Sequence, residues 1–283
     1  MNILIIGGAG RIGKILQPAL EREHCCYYFD TRPIPGAEAR SFVGDVRKDA
    51  LVDRAVAGCD ALVYLAMGIK HGSLSMANDI DPAFSINVGG WCRFLQSGLR
   101  AGVRRFIYAS SMSVYEKLNL KNSGKIDETN PANAWNPYGL SKRFGEELCQ
   151  IASSRHPDAV IIALRMFRPF TDKQWHWLVA NPDHYFNFLQ GPDDLRRLYL
   201  DALACDTPGA HILNTTGDVD AKKFPNAQAT KRLGWSAKDN FKIPETVRNS
   251  NIDSRKVLDT YSFREFWVQN PDWYVEEKGF DNA

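Results

Sequence analysis

No CxxC pair occurs in the 283 residues, and the six cysteines (Cys25, Cys26, Cys59, Cys92, Cys149 and Cys205) match neither a zinc site nor a disulfide framework. They read as reduced, buried thiols of a cytosolic protein, and no metal site is expected. Basic residues form no block. Lys and Arg number 35 against 33 Asp and Glu, for a net charge of +2. That balance excludes the electrostatic footprint of a nucleic-acid or membrane-surface binder. No apolar run approaches the roughly 20 residues of a membrane span. The opening MNILIIGGAG is too short and too Gly-rich for a signal h-region, and no charged segment precedes it. Repeats, low-complexity tracts and clean linkers are also missing. The expectation is a soluble cytoplasmic protein of one large domain, or one domain plus a lobe.

What is present begins with Ile3 to Ile6, an apolar run typical of a strand buried on both faces. It runs into GGAGRIG, Gly7 to Gly13, and then an amphipathic stretch from Lys14 to Glu23. Strand, Gly turn and helix in that order let backbone N–H groups approach a pyrophosphate at a helix N-terminus. A second strand, Cys25 to Phe29, ends on Asp30, placed to bind both hydroxyls of an adenosine ribose. The carboxylate would repel a 2′-phosphate, which favours NAD. Arg11 and Arg32 can each reach a phosphate or stay solvated, so NADP is left open.

Strands and helices continue to alternate. Arg40 to Val43, Ala61 to Ala66, Phe106 to Ala109, Ala159 to Leu164 and His211 to Leu213 read as strands. Asp49 to Ala57, Asp81 to Arg100, Asp194 to Ala204 and Ala229 to Trp235 read as helices. The pattern predicts an α/β fold, a doubly wound parallel sheet of the Rossmann kind with a small C-terminal substrate lobe. Residues 1–165 are expected to bind the dinucleotide. Residues 166–283 are expected to form the substrate-binding and C-terminal portion, part of it packing back on the sheet.

Asp45 and Val46 follow a strand end, where they either hold an adenine edge or make a turn. Met67 to Ile80 is a polar loop at a strand's carboxyl end, where ligands of such sheets bind, with His71 and Ser73 as candidates. Asn87 is unfavourable inside a helix, which suggests a role. SSMSVY, Ser110 to Tyr115, clusters hydroxyls at another strand end. NPYGLSK, Asn136 to Lys142, then starts a helix: Asn136 caps it, Pro137 suits its first position, and Tyr138 and Lys142 share a face. An ammonium beside a phenol favours the phenolate, so Tyr138 can exchange protons with a substrate oxygen. Trp175, His176 and Trp177 can stack against a substrate or simply fill a core.

GGAGRIG, Asp30, GDV at 44–46, LVYLA, Asn87, YASSMSVY, NPYGLSK and ALRMFRP stand in the order of one family. The chain resembles the extended short-chain dehydrogenases/reductases, the NAD-dependent epimerase/dehydratase group, from the first strand to about residue 170. The resemblance implies Tyr138 as acid/base, Lys142 as the lysine that binds the nicotinamide ribose and lowers the tyrosine's pKa, and Ser111 as the hydroxyl bonded to the reacting oxygen. It places Gly7, Gly10, Arg11, Ile12, Gly13, Asp30, Arg32, Asp45, Val46, Leu65, Ala66, Asn87 and Ala109 about the cofactor, with Tyr138 and Lys142. Ser73, Ser111, Met112, Tyr138, Arg165 and Arg168 would line the substrate. A homo-oligomer, dimer or larger, is implied.

Departures narrow the reading. The segment between Pro169 and Gly191 is short beside the nucleotide-gripping insertion usual in nucleotide-sugar enzymes of the family. Met112 and Ser113 stand where the family's sugar dehydratases carry Asp-Glu. Arg168 replaces the usual asparagine. LGW followed by AKDN, Ala237 to Asn240, looks most like uronate dehydrogenases. The expected function is an NAD-dependent oxidoreductase on a small sugar or sugar acid. The alternatives are an epimerase that retains its cofactor and, in a different class, a non-catalytic NAD-binding sensor.

Overall fold

A computed structural model describes residues 1–68, 80–115, 124–182 and 188–250. Among the described residues, seven strands form one parallel sheet in the order β3-β2-β1-β4-β5-β6-β7. They are β1 (Asn2–Ile6), β2 (Cys25–Asp30), β3 (Ser41–Val43), β4 (Ala61–Tyr64), β5 (Arg105–Ser111), β6 (Val160–Met166) and β7 (Gly209–Thr215). The order reverses between β1 and β4, so the crevice of a doubly wound sheet opens at the carboxyl end of β1. Every residue of β4 and β6 is buried, as expected of strands covered on both faces.

One face is packed by α1 (Arg11–Glu23), α7 (Pro192–Ala204) and α8 (Ala227–Leu233) through Leu16, Leu20, Leu195, Leu198 and Trp235. The other is packed by α2 (Val52–Val56), α4 (Trp91–Arg100) and α5 (Pro137–Arg155). There Trp91 is fully buried among Tyr64, Phe106 and Tyr108, with ring centroids 5.1–6.4 Å away. A third cluster joins Met112, Val114, Tyr115 and Ile126 to Phe167, Phe170, Trp175, Leu178, Phe188 and Phe224. It lies beyond the sheet's carboxyl edge and includes α6 (Asp172–Ala180), which a full Thr171/Gln174 capping box starts.

The predicted helix from Asp81 to Arg100 is three pieces: α3 (Ile80–Pro82), a π-helical stretch Ala83–Gly90, and α4. The wider register frees carbonyls, and two core tyrosines cap them. Tyr64 donates to Ile86 O at 2.6 Å and Tyr108 to Asn87 O at 3.3 Å. The last predicted strand is longer than its apolar part, because Asn214 and Thr215 extend β7 alongside Arg165 and Met166.

Candidate active site

The first turn of α5 is built as its sequence predicts. Asn136 accepts the Gly139 N–H at 2.8 Å, and Pro137 occupies the first helical position. Two glycines let the helix lie close against its neighbours. A Cβ on Gly139 would strike the Ser113 carbonyl oxygen, and one on Gly145 would come within 2.6 Å of the Tyr108 ring. Tyr138, Lys142 and Glu146 then recur every four residues on the face toward β5.

Lys142 is 3% exposed and donates from Nζ to Ala109 O at 2.7 Å. Its Nζ lies 5.0 Å from the Tyr108 ring centroid and 5.7 Å from that of Tyr138. Burial pulls the amine down to about 7, opposed by the charge of Glu146. Burial likewise pushes the half-buried Tyr138 above the usual phenol value, and its hydrogen bond with Ser111 works the other way. The ammonium expected to lower the phenol is not among the groups that set the Tyr138 titration. Desolvation dominates both groups and favours their neutral forms.

Ser111 ends β5 on the rung shared with Met166, and its Oγ accepts the Ser113 N–H at 3.1 Å. Two expected substrate contacts point into the protein. Met112 is 1% exposed within the third cluster. Arg165 is held by Glu146, through Nε and Nη2 at 2.8 Å each, and donates from Nη1 to the Tyr115 hydroxyl at 2.6 Å. Its guanidinium is committed to that ion pair rather than open to a substrate. Two residues past β6, Arg168 takes a positive φ of 40°, a conformation that costs a non-glycine residue about 1 kcal/mol or more. Burial lowers its pKa. Of the aromatic triplet, Trp175 belongs to the core, Trp177 packs against it and His176 is exposed. Ser73 and His71 lie outside the described residues.

At the reversal point, Gly7 has φ 85°, and a Cβ there would sit 2.5 Å from Ala66 N, so the ends of β1 and β4 touch. Gly10 caps α1, Arg11 and Ile12 follow in its first turn, and a Cβ on Gly13 would strike the Gly8 carbonyl oxygen. Asp30 accepts the Ala9 N–H at 2.9 Å through Oδ2, while its Oδ1 faces the Arg32 N–H at 3.4 Å. One acid thus holds the Gly loop beside the end of β2. This cradle of backbone, closed to any side chain and flanked by a carboxylate, fits a dinucleotide.

The remaining expected cofactor positions have packing roles here. Leu65 donates its N–H to Ile6 O at 2.7 Å. Val46 is buried against the Gly90 backbone. Asp45 is tied to Arg47, whose guanidinium and N–H hold its carboxyl below the usual range. Asn87 is fully buried, accepting the Gly68 N–H and donating to Ser141 Oγ, both at 2.9 Å. It bolts the chain leaving β4 to α5, with its register set by the π-helical stretch.

The sequence reading missed Glu146, Tyr115 and Ser141. Glu146 was visible in principle, since it repeats the Tyr138–Lys142 spacing once more. Tyr115 and Ser141 find their partners only through the fold.

Residues 3–175 match the model of the NAD dependent epimerase/dehydratase family. The chain is 26% identical over 246 residues to a uronate dehydrogenase of Pseudomonas syringae pv. tomato, covering 86% of this chain and 83% of that protein. It is 26% identical over 168 residues to an L-arabinose 1-dehydrogenase (NAD(P)(+)) of Haloferax volcanii, covering 55% of this chain and 62% of that one. In fold it is similar to MoeE5 in complex with UDP-glucuronic acid and NAD (TM-score 0.71, 21% identity, 88% of this chain and 98% of that one). A mutated uronate dehydrogenase superposes with TM-score 0.68 at 21% identity, covering 95% and 86%. With the family model spanning more than half of its length and the site elements in family order, this chain belongs to the NAD-dependent epimerase/dehydratase family.

Proposed function

We propose that this protein is an NAD-dependent oxidoreductase that transfers hydride between the cofactor and a hydroxyl-bearing or carbonyl carbon of a small sugar or sugar acid. The observation that carries the reading is the convergence of Ser111, Tyr138 and Lys142 at the carboxyl end of β5, on the sheet edge that also carries the Gly cradle. The two dehydrogenase relatives act, by their names, on a uronate and on arabinose, both free monosaccharides.

In this reading residues 1–165 hold the cofactor and the chain after 165 supplies the substrate side. Gly7, Gly10, Gly13 and Asp30 would receive the dinucleotide, with Asn87 keeping the adjoining strand end in place. NAD, when bound, supplies the hydride acceptor. Ser111 and Tyr138 hydrogen-bond the substrate hydroxyl, and Tyr138 takes its proton as the carbon–oxygen double bond forms. Lys142 provides positive charge behind the phenol. Arg168, two residues past β6, is the arginine we assign to a substrate carboxylate, by its place just after the strand where substrate contacts of the family begin.

Purified protein with NAD and a panel of free uronic acids and neutral sugars tests this directly. Stoichiometric NADH and the matching oxidised sugar are expected. Isomerised sugar with no net NADH would instead establish an epimerase. NAD binding without conversion of any sugar would support a sensor.

A homo-oligomer is part of the proposal. Phe144 and Ile151 are 46% and 50% exposed on one outer stripe of α5, and Phe84 packs 5.7 Å from Phe144. Light scattering after gel filtration should give at least a dimer. We place the protein in the cytoplasm because six free thiols suit a reducing compartment. Among the described residues no helix is long and apolar enough to cross a membrane.

A further inference from the structure

Glu146 lies one helical turn beyond Lys142 and is 3% exposed. Its Oε1 accepts from Ser110 Oγ at 2.6 Å and Arg165 Nε at 2.8 Å, and its Oε2 accepts from Arg165 Nη2 at 2.8 Å. The third arm of Arg165 reaches the Tyr115 hydroxyl, which donates to Asp127 O at 2.9 Å. A buried polar chain therefore runs from the 124–136 segment through β6 to the helix that carries Tyr138 and Lys142. Buried ion pairs rarely stabilise a fold more than well-packed apolar residues would. A pair retained directly behind a proton-transfer site calls for a reason beyond stability.

The reason lies in the surroundings of Lys142. Its ammonium has one hydrogen-bond acceptor among the described residues, the Ala109 carbonyl oxygen. Tyr138 on its own helix and Tyr108 on β5 are neutral phenols at neutral pH, both raised by burial. Asn87, from the π-helical stretch, approaches through Ser141 as a neutral amide. Cys149, a turn beyond Glu146, is a thiol that burial keeps protonated. Arg165 on β6, faced in turn by Tyr115 and Glu128, is a cation behind the carboxylate. Glu146, four residues on along the same buried helix, is thus the one anion among the described residues whose charge acts on Lys142.

We propose that Glu146 is a positioning residue that keeps Lys142 an ammonium, while Arg165 aims the carboxylate and offsets part of its charge. Burial drives Lys142 toward the neutral amine, and Glu146 opposes it. Two consequences of opposite sign follow. Removing both charges of the pair withdraws the anion, and Lys142 titrates lower. Removing Arg165 alone leaves the carboxylate less compensated, and Lys142 titrates higher. The catalytic meaning rests on the oxidoreductase reading, whereas the titration of Lys142 does not.

The test is therefore made first without cofactor or substrate. In protein labelled with 13C at lysine Cε, the Lys142 resonance is the one missing from Lys142→Met. Glu146→Gln/Arg165→Gln, a neutral pair of amides that can bond each other, should lower its midpoint by about one pH unit. Arg165→Gln should raise it by about half a unit or more. The alkaline limb of kcat/KM should move in the same two directions. Circular dichroism identifies a variant that has not folded, and the other variant then still tests the sign. A folded variant whose Lys142 midpoint does not move, or moves the other way, overturns the proposal. A correct titration without sugar turnover would leave it standing and reject the oxidoreductase reading instead.

Discussion

Lys142 donates to the Ala109 carbonyl oxygen at 2.7 Å from within the protein, 3% exposed. An amine held at about 7 that would titrate near 10.4 unfolded binds fewer protons in the native state than in the unfolded one between those values. Stability from this group is therefore lowest at and below pH 7 and rises as pH climbs toward 10. Lys142→Met gives up one hydrogen bond, worth about 1 kcal/mol, but removes the buried charge. At pH 6 it should be more stable than the wild type by about 2 kcal/mol, and the gain should vanish by pH 10. Urea denaturation at both values checks this. Equal differences at the two pH values would mean that Lys142 is not desolvated.

Tyr138 pairs with Ser111 at the end of β5, and burial holds its proton on. Tyr138→Phe deletes the hydroxyl and leaves a ring of nearly the same shape. The turnover number should fall about 10²- to 10⁴-fold, the usual worth of a positioned acid or base. NAD affinity, measured by calorimetry, should stay within about threefold, because the Gly cradle is untouched. A Phe variant with wild-type turnover would remove Tyr138 from the chemistry.

How much of this could be read in the chain follows from where each interaction is made. The strands were readable because both faces of the sheet are covered, so β1, β4 and β6 are apolar runs between turn signals. The start of α5 was readable because cap, proline and helical spacing are local. The ends of β5 and β7 were not. Ser110 and Asn214 are polar yet buried, and partners from elsewhere satisfy them: Glu146 for the first, Tyr115 for the second. Arg165 looked like a substrate residue for the same reason. Its partner is 19 residues away, on a helix whose packing no local pattern reveals. The π-helical stretch was hidden because the hydroxyls that stabilise it come from Tyr64 and Tyr108, on two other elements. Thr171 and Gln174 did carry a local capping signal, obscured by the aromatic composition around them.

Asp30 does two jobs with one carboxylate, holding the Ala9 N–H and presenting an acid at the end of β2. Asp30→Ala should weaken NAD binding about tenfold or more, since a charged hydrogen bond contributes about 1.5–3 kcal/mol. NADP binding should suffer less, or improve, because the repulsion of a 2′-phosphate goes with the carboxylate. The NAD/NADP ratio of dissociation constants, measured by calorimetry, decides the matter. An unchanged ratio would detach Asp30 from cofactor choice and leave it a loop anchor.

Asp194 and Asp239 cap each other's segments. Asp239 Oδ2 accepts the N–H groups of Asp193 and Asp194 at 3.0 and 3.1 Å, closing the start of α7. The Asp194 carboxylate accepts the N–H groups of Lys238 and Asp239 at 2.8 and 2.9 Å. The arrangement gives AKDN a physical meaning, as the segment that seals the helix after Gly191. Gly191 itself leaves no room for a side chain, because its Cβ would come within 2.6 Å of the Asp239 carboxyl carbon. Asp239→Ala strands the N–H groups of Asp193 and Asp194 on α7, the second of them buried, and removes a partner of the opposing loop. A cap at an exposed helix costs about 1 kcal/mol; stranding a buried donor as well should bring the loss to about 2–3 kcal/mol. Asp239→Asn, which keeps one acceptor oxygen, should lose less than half of that. Denaturant midpoints for the two variants test the ordering. Equal losses would show that the charge, rather than the acceptor geometry, holds the segment to α7.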